Sequence, residues 1–451
     1  MDTEALYNQA LDYVYSFIDY SKEKTYKLIR ANFKLERMTE LLALLGNPHE
    51  AYPVLHVAGT KGKGSTCAMM SAVLTAAGYR TALYTSPHLQ EFDERIQVDG
   101  HPIPHLDLYN LIEEMKPAIQ KIPQITTFEV ITALAFLFFA RQEVEAAVIE
   151  VGMGGRLDAT NIVKPCVSVI TSISYDHMAV LGSTLAQIAG EKAGIIKPGV
   201  PVVSSPQKEE ALLVLERIAR ERGSPFTLVG REVEFEPVSQ AIEGQTFRLF
   251  THPGDDKPVN SRDPNSVILR IPLLGRHQVE NAATAFTALQ VSELPITWKA
   301  MREGFASVQW PCRFELARRK PPVIFDSAHN QDSFLRLCQA LEDYFPGQPV
   351  ILLMGASEDK NLAGMLAEIK PRVSRLIAVR ADHPRALPPE HIAGAAESLG
   401  IQAETSLTVP AGLERALELA AQNGEIILAA GSMFATAEIK TAWQHLFPEY
   451  H

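Results

Sequence analysis

Cysteine is scarce and scattered. Cys67, Cys166, Cys312 and Cys338 are the four in 451 residues, and no two stand in C-x-x-C spacing. Neither a zinc knuckle nor a disulfide framework organises such a chain, and reduced cytosol suits it. Excess positive charge is also lacking. Lys and Arg number 42 against 53 Asp and Glu, a net charge of −11, which argues against a general nucleic-acid coat. Any anionic ligand must then be met by local positive groups. Long apolar runs are missing too: the longest, Val130 to Ala140, contains Thr132 and is too short to cross a bilayer, so it reads as a buried helix. The opening Met1-Asp-Thr-Glu has no basic segment followed by an apolar one, so no signal peptide is expected. No internal repeat or low-complexity tract occurs. These exclusions point to a soluble, cytoplasmic protein with no membrane or nucleic-acid partner. With 46% hydrophobic residues, it can bury a large core, and its length suits two domains.

What is present is a glycine-rich turn. In Val54-Leu-His-Val-Ala-Gly-Thr-Lys-Gly-Lys-Gly-Ser-Thr66 a mostly β-forming run meets three glycines interleaved with two lysines, and helical spacing follows from Cys67 to Ala77. This predicts strand, phosphate loop and helix. Gly59, Gly62 and Gly64 can take positive φ and bring backbone N–H groups near phosphate oxygens, helped by the helix dipole. Lys63 would reach the β/γ-phosphates, and the hydroxyl of Ser65 or Thr66 would bind Mg²⁺. The spelling departs from G-x-x-x-x-G-K-[ST], because Gly64 separates Lys63 from Ser65. A glycine-rich turn with no ligand is the competing reading, and the two lysines and the Ser-Thr pair weigh against it.

The chain around this turn alternates between periods. Residues 5–18 and 35–45 have helical spacing, the second closed by Gly46-Asn-Pro. Strands are expected at 81–85, 146–151 and 167–171, with helices at 106–119 and 128–141. Strands separated by helices imply right-handed crossovers and a largely parallel sheet, with ligands at the carboxyl ends of its strands. Between Phe226 and Leu274 short alternating segments, with the turn-rich His252-Pro-Gly-Asp-Asp256 among them, predict a small antiparallel flap. Helices at about 277–292 and 297–305 follow. Trp310-Pro-Cys-Arg313 then leads into a second, Rossmann-like α/β unit with strands at 322–326, 350–354, 376–380 and 425–430. The expected domains are 1–308, a P-loop α/β domain, and 309–451.

Several polar residues follow predicted strands. Ser86, Glu150, Asp176 and His177 share the edge of the phosphate loop. Glu150 is either a Mg²⁺ ligand or a strand-end acid capping the next turn. Lys192 reads as a solvated helix lysine on spacing alone. Gly152-Met-Gly-Gly155, with Arg156 and Asp158 after it, reads as a substrate loop or a tight turn. In the second half Asp326-Ser-Ala-His-Asn330 follows a strand and opens a helix, so that Asp326 either faces a cleft with His329 or caps the helix. Composition does not select Asn281 or Arg313.

In order along the chain stand Gly59-Thr-Lys-Gly-Lys-Gly-Ser65, Thr85-Ser-Pro-His-Leu89, Thr127-Phe-Glu129, Glu150-Val-Gly-Met-Gly-Gly-Arg-Leu-Asp-Ala-Thr-Asn161, Asp176-His177, Glu191-Lys-Ala-Gly-Ile-Ile-Lys-Pro198, Gly275-Arg-His-Gln-Val-Glu-Asn-Ala-Ala-Thr284 and Asp326-Ser-Ala-His-Asn330. Together they resemble the folylpolyglutamate synthase/dihydrofolate synthase family of the Mur ligase superfamily. The resemblance implies a two-domain Mur-ligase-like fold. It also implies an ATP-dependent ligase joining the carboxylate of a reduced folate or of dihydropteroate to L-glutamate through an acyl phosphate. By similarity, ATP meets Gly59, Thr60, Lys61, Gly62, Lys63, Gly64, Ser65 and Thr66, with Asn281, Arg313 and Asp326. One Mg²⁺ is held by Ser65, Ser86 and Glu150. A second is held by His177 and Lys192, the lysine being carbamylated, because an ammonium repels a cation whereas a carbamate offers hard oxygens. A potassium ion is a further candidate cation. Lys63, Lys192 and His329 are the implied catalytic residues, and Thr126, Thr127, Phe128, Glu129, Leu157, Asp158 and Ala159 match the pterin-contacting segments. The chain departs from the family at Cys312 and Ser327, where glycine is usual. A monomer is expected.

Two other readings compete. Cell-wall Mur ligases share the chemistry but carry a nucleotide-sugar domain ahead of the phosphate loop, and only about two helices fit before Val54. A non-catalytic nucleotide switch is opposed by the lack of an Asn-Lys-x-Asp signature and by the second α/β unit.

Overall fold

Val54–Ala58 (β1) is buried at every position and lies inside the larger of three sheets, which is why its sequence is apolar on both faces. The computed structural model describes residues 2–18, 34–250 and 266–448. The His252–Asp256 turn lies outside the described residues. By contacts the chain divides into two units. The first comprises Met1–Glu236, Phe247–Arg270 and Val279–Val308, and the second Pro237–Thr246, Ile271–Gln278 and Gln309–His451. The second unit thus takes in short segments from before residue 309.

The first unit is built on β1 with β2 (Thr81–Tyr84), β3 (Ile96–Val98), β4 (His101–Pro102), β5 (Ala146–Glu150), β6 (Val167–Ile170), β7 (Val202–Ser204) and β8 (Phe226–Leu228), in the order β4-β3-β2-β5-β1-β6-β7-β8. From β2 to β8 the pairing is parallel, and β3 and β4 add an antiparallel edge. In register, Val57 lies beside Glu150 and Ala58 beside Ile170, so the loops after β5 and β6 emerge flanking the one after β1. The helix Thr127–Arg141 is buried from Val130 to Phe139, as its unbroken apolar run implies. Each large side chain removed from water there contributes about 1.5–3 kcal/mol.

Phe226–Leu228, expected in the flap, is instead the outermost strand of this sheet, paired parallel with β7. The three-stranded sheet begins later, with β9 (Glu234–Ala241), β10 (Gly244–Phe250) and β11 (Ser266–Ile271) in the order β11-β10-β9. Ile242 and Glu243 alone join β9 to β10, a connection too short for anything but an antiparallel pair.

The second unit carries β12 (Glu315–Arg319), β13 (Pro322–Phe325), β14 (Val350–Met354), β15 (Val373–Ala378), β16 (Ala403–Thr405) and β17 (Ile426–Ala430), in the order β12-β13-β17-β14-β15-β16. Only β12 runs antiparallel. Among the described residues no helix is long and apolar enough to cross a membrane.

Candidate active site

The turn after β1 is shaped by two glycines. Gly59 has φ +156° and Gly62 φ +86°. A Cβ on Gly59 would lie 1.8 Å from Thr171 Oγ1, and one on Gly62 2.2 Å from Asn281 Oδ1. Gly64 does not use that freedom, because it already lies in the first turn of the helix Lys63–Ala76. Thr60 and Lys61 give their N–H groups to the Ser172 carbonyl at 2.9 and 3.1 Å, which fastens the loop to the one after β6. The N–H groups at the start of the helix, from Gly62 to Ser65, have no intrahelical acceptor to meet. Gly62 is the N-cap and has no side chain to cap them. Ser65 is buried in this turn, and Thr66 Oγ1 is buried without a hydrogen-bond partner.

Charged groups surround the turn. Lys63 Nζ lies 3.6 Å from Glu150 Oε1, and Ser86 N–H donates to Glu150 Oε2 at 3.3 Å, so the ends of β1, β2 and β5 meet at this carboxylate. Lys61 Nζ pairs with Asp176 Oδ2 at 3.4 Å. Lys192, expected on spacing alone to be solvated, is buried and donates to the Gly59 carbonyl at 2.7 Å. Burial, together with the nearby Lys63 and Lys61, pushes its amine down to about 7, against the pull of Asp176 and Asp158. His177, at φ +48°, opens the short helix Met178–Leu181 with a half-exposed ring.

The loop after β5 is locked against the helix that ends in Lys192. Arg156 N–H donates to the Glu191 carbonyl at 2.8 Å, and its guanidinium grips the Glu191 carboxylate at 3.0 and 3.2 Å. Backbones approach so closely that a Cβ on Gly194 would stand 2.3 Å from Arg156 Cβ. Asn161 Nδ2 bonds the Arg156 and Gly194 carbonyls, and Lys197 Nζ bonds the Asn161 carbonyl at 2.7 Å. Two motifs more than thirty residues apart thus form one structural piece.

Of the residues matched to pterin contacts, most hold the fold. Thr126 caps the helix Thr127–Arg141, and Glu129 returns the cap through Thr126 N–H. Glu129 also pairs with buried Arg37 at 3.0 Å, and Thr127 Oγ1 donates to the Val14 carbonyl. Phe128 is half-buried, its ring against Gly152. Asp158 caps the turn Ala159–Ile162 and accepts from Met153 N–H, Thr160 N–H and Thr160 Oγ1. Leu157 is half-buried and Ala159 buried.

In the second unit, Asp326 is not the helix cap. Asn330 is, in a reciprocal box with Ser333. Asp326 instead accepts from Phe314 N–H at 2.8 Å and Ala328 N–H at 2.7 Å, which pins the segment carrying Arg313. Burial pushes its carboxyl up, and the Arg313 charge opposes this. His329 Nδ1 faces the Ser327 carbonyl at 2.8 Å; a carbonyl only accepts, so Nδ1 holds the proton and Nε2 is the basic nitrogen. Both departures from the family leave a mark. Cys312 has φ +54°, which costs a non-glycine residue about 1–2 kcal/mol, and Ser327 Oγ is buried without a partner.

Sequence reasoning missed the Arg37 pairing with Glu129, whose partners lie 92 positions apart. It also missed His56, for which a polar residue inside an apolar central strand was the available signal.

The chain matches the Mur ligase middle domain over residues 57–289 and the Mur ligase glutamate ligase domain over 312–433. It is 34% identical over 416 residues to the dihydrofolate synthase/folylpolyglutamate synthase of Bacillus subtilis, covering 90% of this chain and 94% of that protein. Mycobacterium tuberculosis folylpolyglutamate synthase, solved with ADP and AMPPCP, superposes with a TM-score of 0.86 at 32% identity, covering 99% of each chain. E. coli FolC in complex with DHPP and ADP gives 0.80 at 30% identity, covering 92% of this chain and 94% of that one. The helix begun on Gly62, the Glu150 carboxylate at the end of β5 and the buried Lys192 all lie within the stretch matched as the Mur ligase middle domain, and the chain belongs to the folylpolyglutamate synthase/dihydrofolate synthase family of Mur ligases.

Proposed function

We propose that the protein is an ATP-dependent carboxylate–amine ligase that adds L-glutamate to reduced folates and to dihydropteroate. The observation that carries this reading is the convergence on the phosphate loop of Lys63, Glu150 and Lys192, the last reaching the Gly59 carbonyl. A carboxylate is inert to an amine at neutral pH, so it first takes the γ-phosphoryl of ATP. The N–H groups from Gly62 to Ser65 and the Lys63 ammonium stabilise the charge on the transferring group. The glutamate amine then attacks the acyl phosphate, forming the amide and releasing phosphate. Asn281, Arg313 and Asp326 are assigned to ATP by the family resemblance. His329 is assigned to the phosphoryl group, with Nε2 as its basic atom. Thr126, Thr127, Phe128, Glu129, Leu157, Asp158 and Ala159 are assigned to the pterin.

The donor set suits Mg²⁺, which takes hard oxygens and shares them with phosphate. Ser65, Ser86 and Glu150 would hold one ion, and the Glu150 carboxylate already faces Ser86 N–H at 3.3 Å and Lys63 Nζ at 3.6 Å. A second would fall to His177 and a carbamylated Lys192. When bound, the metal neutralises phosphate charge. Potassium is assigned no residue. We further propose a monomer acting in the cytosol, in keeping with four free cysteines.

The test is ADP release from Mg²⁺-ATP and glutamate, with dihydropteroate or tetrahydrofolate added in turn and products identified by mass spectrometry. Amide product with both acceptors is expected. Turnover indifferent to either acceptor would overturn the reading in favour of a nucleotide switch.

A further inference from the structure

His56 is out of character for its place. It lies in the middle of β1, between Leu55 and Val57, with no exposed surface. A central parallel strand ordinarily takes Val or Ile there. An imidazole instead meets the loop after β5: His56 Nε2 is 2.8 Å from Thr160 Oγ1, and that hydroxyl is 2.6 Å from Asp158 Oδ1.

The direction of these bonds follows from the acceptors. Asp158 takes Met153 N–H on Oδ2 and Thr160 N–H on Oδ1, as an ionised carboxylate does. The contact from Thr160 is as short as an O–H donor to a charged oxygen makes. With its proton given to Asp158, the Thr160 hydroxyl is left as an acceptor towards His56, so Nε2 carries the imidazole proton. The other nitrogen, Nδ1, is buried with no partner, as the proton-free atom of that tautomer. Burial and the Lys197 charge hold the ring neutral, at about 3, so the tautomer persists at any working pH. The arrangement leaves a buried acceptor unsatisfied, which a plain apolar residue would not.

We infer that His56 is a positioning residue for the folate or dihydropteroate acceptor: through Thr160 it fixes the Asp158 carboxylate, leaving one acceptor position on Oδ2 directed by the chain His56, Thr160, Asp158. This rests on the assignment of Asp158 to the acceptor. Oδ2 uses one of its two acceptor positions on Met153 N–H, and the other suits the N–H donors of an aminopyrimidinone edge.

The experiment compares His56→Leu, His56→Gln and His56→Asn, with Thr160→Val removing the bridging hydroxyl at near-constant shape. KM for tetrahydrofolate and dihydropteroate is measured beside KM for ATP. His56→Leu and Thr160→Val are expected to raise acceptor KM about fivefold to tenfold and to leave the ATP value unchanged. Glutamine, whose amide N–H stands where Nε2–H stood, restores it; asparagine, whose amide stands near Nδ1, does not. Equal behaviour of the three His56 variants, a parallel rise in ATP KM, or no change in Thr160→Val would overturn the inference. Asp158→Asn separates the two claims. If it leaves acceptor KM unchanged, the assignment of Asp158 falls and the role of His56 with it; if it raises KM while His56→Leu and Thr160→Val do not, only the role of His56 falls. Should His56→Leu fail to fold, Thr160→Val decides.

Discussion

Two strand-to-helix turns, one in each unit, solve the same local problem in opposite ways. After β13 the turn Asp326–Asn330 satisfies itself. Asn330 accepts from Ser333 N–H, Ser333 returns the bond, and Asp326 binds two further N–H groups. After β1 the helix begins on Gly62, which has no side chain to offer its N–H groups. A capped helix start is finished by its own sequence; one begun on glycine leaves its N–H groups open to water or to an anion. The turn after β1 also carries lysines at 61 and 63, each held by an acid from a neighbouring strand end. The two turns therefore differ in which local bonds their sequences make, as well as in their glycines.

The contrast can be broken by substitution. Lys63→Ala and Glu150→Ala should each lower ligation at least ~10²-fold with circular dichroism unchanged; near-normal rates would remove the charge from the account of the loop. Lys192→Ala should fall comparably, with partial recovery in a small carboxylate if a carbamate normally stands there. The unmodified amine has a second signature. Its folded value of about 7 lies below its ordinary 10.5, so across that window the unfolded chain binds more protons and stability rises with pH. In bicarbonate-free buffer Lys192→Met should flatten that rise in denaturant titrations. Gly62→Ala forces a side chain into φ +86° and against Asn281; a loss of about 2 kcal/mol and a smaller thermal shift on adding ATP are expected. Smallest is Asn330→Ala, expected to lower stability by about 1 kcal/mol and to leave the thermal shift with ATP intact. If it weakened ATP binding as Gly62→Ala does, the two turns would not differ as argued.

The sequence disclosed what is local or strongly periodic. β1, its glycines and the helix after them are contiguous, and apolar runs separated by helical spacing imply parallel sheets. Of the strands that escaped notice, β4, β12 and β16 are edges and β3 lies beside one. These are two to five residues long and none is buried throughout, so neither alternation nor a buried run marks them, while β7 is buried but only three residues long. β8 was misplaced because Phe226–Leu228 is too short to declare its neighbour. Lys192 looked like any helix lysine, since its burial depends on the Gly59 carbonyl from far upstream. The same holds for Asn281, which meets Gly62 only across the folded unit. Thr126 and Glu129 carried a readable signal, the capping box, that competes with their role as ligand contacts.

The close approach of Gly194 to Arg156 has a consequence for how such an enzyme can diversify. The segment assigned to the pterin and the segment bearing Lys192 share one frame, with no slack in which either can shift alone. Acceptor preference in this scaffold would then be altered by exchanging side chains on a fixed backbone. Changes in loop length between Gly152 and Asn161 would be felt first as lost turnover, and only afterwards as a new choice of substrate.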